Sequence, residues 1–136
     1  MTERAAAVQA RASAKLRAAG VASPQADART LLMHATGLCA TELLTAGDVD
    51  ESAQARYEQL AAERCAGTPV QHLTGRGWFR NVELAVGAGV FVPRPETELV
   101  AGAAIEAARS TTSPLVVELC AGSGAISAAL ADEVPG

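Results

Sequence analysis

The first 65 residues carry apolar side chains at helical spacing. Apolar positions that recur every three or four residues lie on one face of an α-helix, and two such stripes follow one another here. Gly20 and Gly37 stand where the two helices are expected to end, and Ser23-Pro24 is typical of a helix start. The stripes are Val8, Ala12 and Leu16 in the first helix and Ala28, Leu31, Leu32 and Ala35 in the second.

Two more helices are predicted before the pattern changes. A short one covers residues 41–46, and a longer one begins after Asp50, a residue that is favoured as a helix cap. Its apolar face contains Ala53, Tyr57 and Ala61. Because each helix is short for a free peptide, the four are expected to form a small bundle that packing stabilises.

Strand-like patterns begin after Gly67. Short apolar runs at 77–79, 82–86 and 90–92 are separated by turn-forming residues, which predicts a β-hairpin that links two domains. Pro93 and Pro95 then hold the backbone at Arg94 extended, because each proline disfavours the helical conformation of the residue before it. A helix is predicted over residues 96–109.

The most specific pattern lies near residue 120. An apolar run of buried-strand type, residues 115–119, contains Glu118 and passes into a small-residue turn with Gly122 and Gly124 before a helix. Such a turn lets the backbone approach a nucleotide-type ligand closely, although an ordinary strand-turn-helix would show the same pattern. Ser127 stands where a dinucleotide fingerprint has its third glycine, so a nicotinamide enzyme is disfavoured.

Three segments together resemble the HemK/PrmC family of protein-glutamine methyltransferases. They are Pro69-Val70-Gln71-His72-Leu73-Thr74-Gly75, Val90-Phe91-Val92-Pro93-Arg94-Pro95-Glu96-Thr97-Glu98 and Leu115-Val116-Val117-Glu118-Leu119-Cys120-Ala121-Gly122-Ser123-Gly124. The resemblance implies methylation of the glutamine of a Gly-Gly-Gln loop in peptide chain release factors, with S-adenosylmethionine as donor. It also implies an α/β fold with an all-α N-terminal domain at 1–67, a hairpin linker at 68–93 and the start of a Rossmann-like, seven-stranded methyltransferase domain at 94–136.

The resemblance also implies two groups of site residues. In the group that would bind the substrate, Phe91 would lie against the glutamine. In the group that would bind the cofactor, Cys120 stands where relatives commonly have a glycine. A structural ion pair or helix cap is the alternative role for Arg94 and its neighbouring carboxylates. The substrate group is Phe91, Arg94, Glu96 and Thr97, and the cofactor group is Glu118, Cys120, Ala121, Gly122, Ser123 and Gly124.

Two parts of the family's machinery do not occur in this sequence. The resemblance implies an Asn-Pro-Pro-Tyr motif that orients the glutamine amide, and nucleotide-binding folds carry an acidic residue roughly 20 positions after the glycine turn. Neither is present, so no catalytic residue is assigned. The chain is therefore expected to be an incomplete and inactive methyltransferase with a loosely held segment at 115–130.

Composition restricts the remaining functions. A net charge of -4 and scattered arginines argue against general nucleic-acid binding. No apolar run reaches the roughly 20 residues of a membrane span, so a cytoplasmic protein is expected. The three cysteines, Cys39, Cys65 and Cys120, are predicted to be reduced thiols in small apolar niches without a metal. The complete protein is expected to be a monomer; a non-catalytic partner-binding module and a methyltransferase with another protein substrate stay open.

Overall fold

The computed structural model describes residues 3–134. The described residues form two compact units, one up to Thr74 and one from Gly75 onward. The first unit is helical and has one very short sheet, in which β1 (Glu3–Arg4) pairs antiparallel with β2 (Asp48–Val49). Its helices are α1 (Ala5–Ala18), α2 (Pro24–Thr36), α3 (Ala40–Thr45), α4 (Glu51–Cys65) and α5 (Val70–Thr74). The four predicted helices are confirmed, whereas α5 was not predicted.

Some of the residues predicted to begin or end helices do so in the structure. Asp50 is the predicted cap of α4, and its Oδ1 accepts a hydrogen bond from the Ala53 amide at 2.9 Å. Gly37 ends α2 with a left-handed φ of 75°, a conformation that glycine adopts without steric cost. Ser23 directly precedes α2 as predicted, but its side chain makes no capping hydrogen bond.

Tyr57 lies at the centre of the first unit. Only 1% of its surface is exposed, and its hydroxyl donates a hydrogen bond to the Ala28 carbonyl at 3.1 Å. Burial disfavours the phenolate and raises the pKa of Tyr57 far above its usual value. The apolar stripes predicted for the first two helices are buried around it: Val8, Ala12, Leu16, Ala28, Leu31, Leu32 and Ala35.

The second unit begins with the predicted hairpin. Strand β3 (Arg76–Phe79) pairs antiparallel with β4 (Val82–Ala85), and Trp78 lies opposite Glu83. Arg80 starts the two-residue loop with a φ of 51°, the left-handed conformation that tight hairpin loops require at this position. Alternation along β3 buries Phe79 and leaves 67% of Trp78 exposed.

Two helices cover the buried side of this hairpin. They are α6 (Thr97–Arg109), close to the predicted 96–109, and α7 (Ala125–Glu133). Phe79 packs between small and branched side chains of both helices, so hairpin and helices share one core. The core residues are Phe79, Ala101, Ile105, Ala108, Ala125, Ala129 and Leu130.

Two predicted strands are wrong. Residues 90–92 have no regular structure, because a turn at 87–90 and Pro93 interrupt the segment and proline cannot donate a ladder hydrogen bond. Residues 115–119 are not a buried strand either: Leu115 is 91% exposed and Leu119 is 83% exposed. A strand needs a hydrogen-bonded neighbour, and no strand of the described residues pairs with this segment.

Candidate cofactor turn

After Glu118, every second residue from 120 to 124 has a left-handed backbone conformation. Cys120, Gly122 and Gly124 have φ values of 56°, 58° and 73°. Gly124 directly precedes α7, and its amide donates to the Ala121 carbonyl at 2.8 Å, which closes the turn. Two of the three left-handed positions carry glycine, as this conformation favours, but the first carries the side chain of Cys120.

Glu118 is tied to the helix that follows this turn. Its Oε2 accepts a hydrogen bond from the Ser127 amide at 3.0 Å and a second one from the Ser127 hydroxyl. Ser127 is the third residue of α7, where the backbone N–H has no partner inside the helix. Glu118 therefore supplies the capping acceptor that Gly124, which has no side chain, cannot supply.

The turn suits the amino-acid end of S-adenosylmethionine. That end carries an ammonium and a carboxylate, which match a carboxylate acceptor and a helix N-terminus respectively. The backbone is also accessible: Ala121 and Gly122 are exposed, Ser123 is half-buried, and a Cβ built on Gly124 would meet no atom within 4 Å. A ligand can thus approach the main chain, and the residues present fit this group.

The predicted substrate group does not form a closed pocket in the described part of the chain. Phe91 is 88% exposed, Arg94 and Glu96 are exposed, and Thr97 is half-buried. Arg94 and Glu96 accept backbone hydrogen bonds from Thr97 at 3.0 Å and Leu99 at 3.3 Å, so the segment forms the tight turn that leads into α6. Glu96 precedes α6 without making a side-chain cap.

The sequence also matches known proteins. The profile of the PrmC N-terminal domain matches residues 7–75, just over half of the chain.

The chain belongs to the PrmC family.

Curated relatives extend this match beyond the first unit. Release factor glutamine methyltransferase of Streptomyces coelicolor is 52% identical over 128 residues, which are 93% of this chain and 45% of the relative. The proteins of the same name from Mycolicibacterium smegmatis and Burkholderia pseudomallei are 43% and 45% identical, over 91% and 80% of this chain. This PrmC-family chain therefore spans less than half the length of these relatives.

One cluster in this PrmC-family chain was not predicted from its sequence. Arg80, in the hairpin loop, donates from Nε and Nη2 to the two carboxylate oxygens of Glu133 at 2.5 and 3.0 Å, and its amide donates to Glu98. Arg109 donates to the Glu133 carbonyl at 2.9 Å. The only sequence signal was a long cationic side chain in a two-residue loop.

The cysteines correct one prediction. Cys39 and Cys120 are exposed instead of lying in apolar niches, and Cys65 is half-buried; all three are free thiols. Cys39 precedes α3 and takes part in its N-terminal cap, and Cys120 lies in the left-handed turn after Glu118. Among residues 3–134 no helix is long and apolar enough to cross a membrane.

Proposed function

We propose that this chain provides the partner-binding domain and the first donor-binding motif of an S-adenosylmethionine-dependent enzyme that methylates release factors. The acceptor is the side-chain amide of the glutamine in their Gly-Gly-Gln motif. The observation that carries the proposal is the left-handed turn after Glu118, whose open backbone suits the amino-acid end of the donor. Relatives named release factor glutamine methyltransferase support the choice of substrate.

The proposed organisation follows the same relatives. Residues 1–67 hold the release factor, 68–93 link the two parts, and 94–136 begin a Rossmann-like methyltransferase domain of seven strands. Residues 115–119 form no strand in the described chain, and we propose that they become the first strand only in the complete domain. Their exposed apolar side chains in this chain fit a segment that requires neighbouring strands for burial.

The chain's residues act by positioning. S-adenosylmethionine, when bound, supplies an electrophilic methyl group. Glu118 and the backbone of 120–124 hold its amino-acid end, while Phe91, Arg94, Glu96 and Thr97 order the glutamine side chain. Holding two reactants in line can lower a barrier by roughly 7 to 11 kcal/mol, which suits a weak nucleophile such as an amide.

We also propose that the 136 residues have no methyltransferase activity by themselves. The amide-orienting tetrapeptide Asn-Pro-Pro-Tyr does not occur in them, so the glutamine nitrogen has no assigned acceptor. We place the complete protein in the cytoplasm as a monomer. A non-catalytic binding module and a methyltransferase with another protein substrate are the alternatives that the experiments distinguish.

Cys120 provides a direct test of donor binding. It is exposed inside the turn, so a ligand seated there must slow its alkylation by iodoacetamide. We expect S-adenosylhomocysteine to protect Cys120, measured by peptide mass spectrometry, and to leave Cys39 unprotected. Cys39 is the matched control because it is exposed in the first unit. Equal alkylation of Cys120 with and without millimolar ligand would contradict the cofactor assignment.

A chimera tests the substrate assignment. In it, this chain replaces the matching part of the Streptomyces coelicolor relative, with which it shares 52% identity. We expect the chimera to transfer labelled methyl groups to a release factor and the 136-residue chain alone to transfer none. The control replaces the substrate glutamine by asparagine in the release factor. A folded chimera that binds the donor but leaves release factors unmodified would favour another protein substrate.

A further inference from the structure

Ser127 contacts Glu118 through two donors, and the proposed function assigns it no role. We propose that Ser127 is a positioning residue that fixes the Glu118 carboxylate for the α-ammonium group of the ligand. The inference rests on the proposed donor site and deepens it. It predicts that Ser127 contributes to the binding of ligands with an amino-acid end and not to the binding of nucleosides that lack one.

Both donors of Ser127 go to the same oxygen. The amide at 3.0 Å and the hydroxyl both reach Oε2 of Glu118, which leaves Oε1 for a ligand. Two donors on one oxygen fix the rotation of the carboxylate as well as its distance from α7. An acceptor that is ordered before the ligand arrives loses less conformational freedom on binding, so affinity rises.

The hydroxyl and the backbone amide of Ser127 have different roles. The amide alone satisfies the capping requirement at the start of α7, since it is the donor that lacks a partner inside the helix. The hydroxyl adds only the second bond to Glu118. Removing it therefore leaves the helix cap in place and loosens the carboxylate, which separates a positioning role from a structural one.

Replacement of the hydroxyl alone tests this in the full chain. Ser127→Ala removes the hydroxyl, and Ser127→Thr retains one. The ligands are S-adenosylhomocysteine, which carries the α-ammonium, and 5′-methylthioadenosine, which does not. Binding is measured by calorimetry and by protection of Cys120 from alkylation.

We expect Ser127→Ala to weaken S-adenosylhomocysteine binding by about tenfold, in line with the loss of one ordered hydrogen bond. The affinity for 5′-methylthioadenosine stays unchanged, and Ser127→Thr keeps the affinity for both ligands. Equal weakening of both ligands would show a purely structural role and overturn the inference. An unchanged or tighter S-adenosylhomocysteine complex of Ser127→Ala would overturn it as well.

A ligand-free measurement completes the test. NMR relaxation of the Glu118 side chain reports how well the carboxylate is ordered, and we expect lower order in Ser127→Ala than in Ser127→Thr. Equal order in the two variants would overturn the inference without reference to any ligand. A wild-type chain that binds no S-adenosylhomocysteine would instead contradict the donor site itself, so the two failures are distinguishable.

Discussion

Cys120 has a backbone conformation that a side chain normally avoids. Its φ of 56° lies in the left-handed region, where a residue with a Cβ is disfavoured by about 1 kcal/mol or more. The flanking left-handed positions of the same turn are Gly122 and Gly124. The turn thus stores a local strain that a third glycine would remove.

Cys120→Gly is expected to stabilise the second unit by up to about 1 kcal/mol, because relief of the left-handed strain exceeds the added freedom of the unfolded chain. Gly122→Ala, the reverse change at a φ of 58°, should destabilise it by about the same amount. Native-state hydrogen exchange in α6 and α7 measures both. Gly87→Ala is the control, since Gly87 has no left-handed φ. A destabilised Cys120→Gly would contradict the prediction.

Individual residues show what a linear pattern can predict. The sequence already showed that Cys120 stands where relatives have a glycine. The structure gives it a left-handed φ, and a side chain in that conformation is strained. Ser127 was noted only as a missing glycine. Its bond to Glu118 joins residues nine positions apart through a turn of specific shape, and no periodic signal encodes such a contact.

At the scale of elements, one ion cluster joins the hairpin to both helices of the second unit. Arg80 belongs to the hairpin loop, Glu133 to α7 and Glu98 to α6, and all three are connected through the Arg80 side chain and amide. The hydrogen bonds that Glu133 accepts from Arg80 hold the pKa of its carboxyl below the usual value. Partial desolvation acts in the opposite direction and raises this pKa, whereas the charges of the nearby guanidinium groups lower it further.

This cluster makes the second unit sensitive to acid. A carboxyl whose pKa is lower in the folded state contributes stability above its unfolded pKa, 4.5, and loses it as the pH falls through the folded value. Glu133→Gln should therefore lower the thermal stability at pH 7 and flatten its decline between pH 5 and 3. Thermal unfolding across this range measures the effect. Glu106→Gln is the control, since Glu106 is exposed on α6. If the thermal stability of wild type and Glu133→Gln falls equally between pH 5 and 3, the prediction is contradicted.

Helices were predicted well and strands poorly, for a physical reason. The hydrogen bonds of a helix lie within one segment, so an apolar stripe such as that of α2 largely determines it. A strand depends on a neighbour. The hairpin strands pair through a two-residue loop and form, whereas residues 115–119 have strand composition but no pairing strand in the described chain.

At the scale of the whole molecule, the second unit leaves many large apolar side chains exposed. Apart from Trp78 on β3, they belong to the segment before α6, to α6 itself and to residues 115–119. Exposed apolar patches of this kind bind other surfaces or associate with one another. The side chains are Phe91, Leu99, Val100, Leu115, Val116, Val117 and Leu119.

The 136-residue chain is therefore expected to self-associate in a concentration-dependent way. Leu115→Ser combined with Leu119→Ser should raise the dissociation constant about tenfold or more, because two large apolar side chains leave the contact surface. Sedimentation velocity measures this. Leu44→Ser is the matched control, since Leu44 is an exposed leucine of the first unit. A wild-type chain that stays monomeric at high concentration would contradict the prediction.

Family membership could be predicted from the sequence, whereas the assembly of the site could not. Three short motifs identified the PrmC family, and the profile match and the relatives confirm it. Phe91 and Arg94 are exposed, however, and no closed substrate pocket forms among residues 3–134. The relatives are more than twice as long as the part matched here, so a pocket built from several segments cannot be derived from these motifs alone.

The exposed indole of Trp78 has a practical consequence. The chain contains a single tryptophan, on the hairpin of the second unit, and a single tyrosine, at the centre of the first. Emission excited at the long-wavelength edge of the spectrum comes from Trp78 alone, while the ultraviolet difference signal of a desolvated phenol comes from Tyr57. One unlabelled sample therefore carries two native optical probes that report separately on the melting of each half.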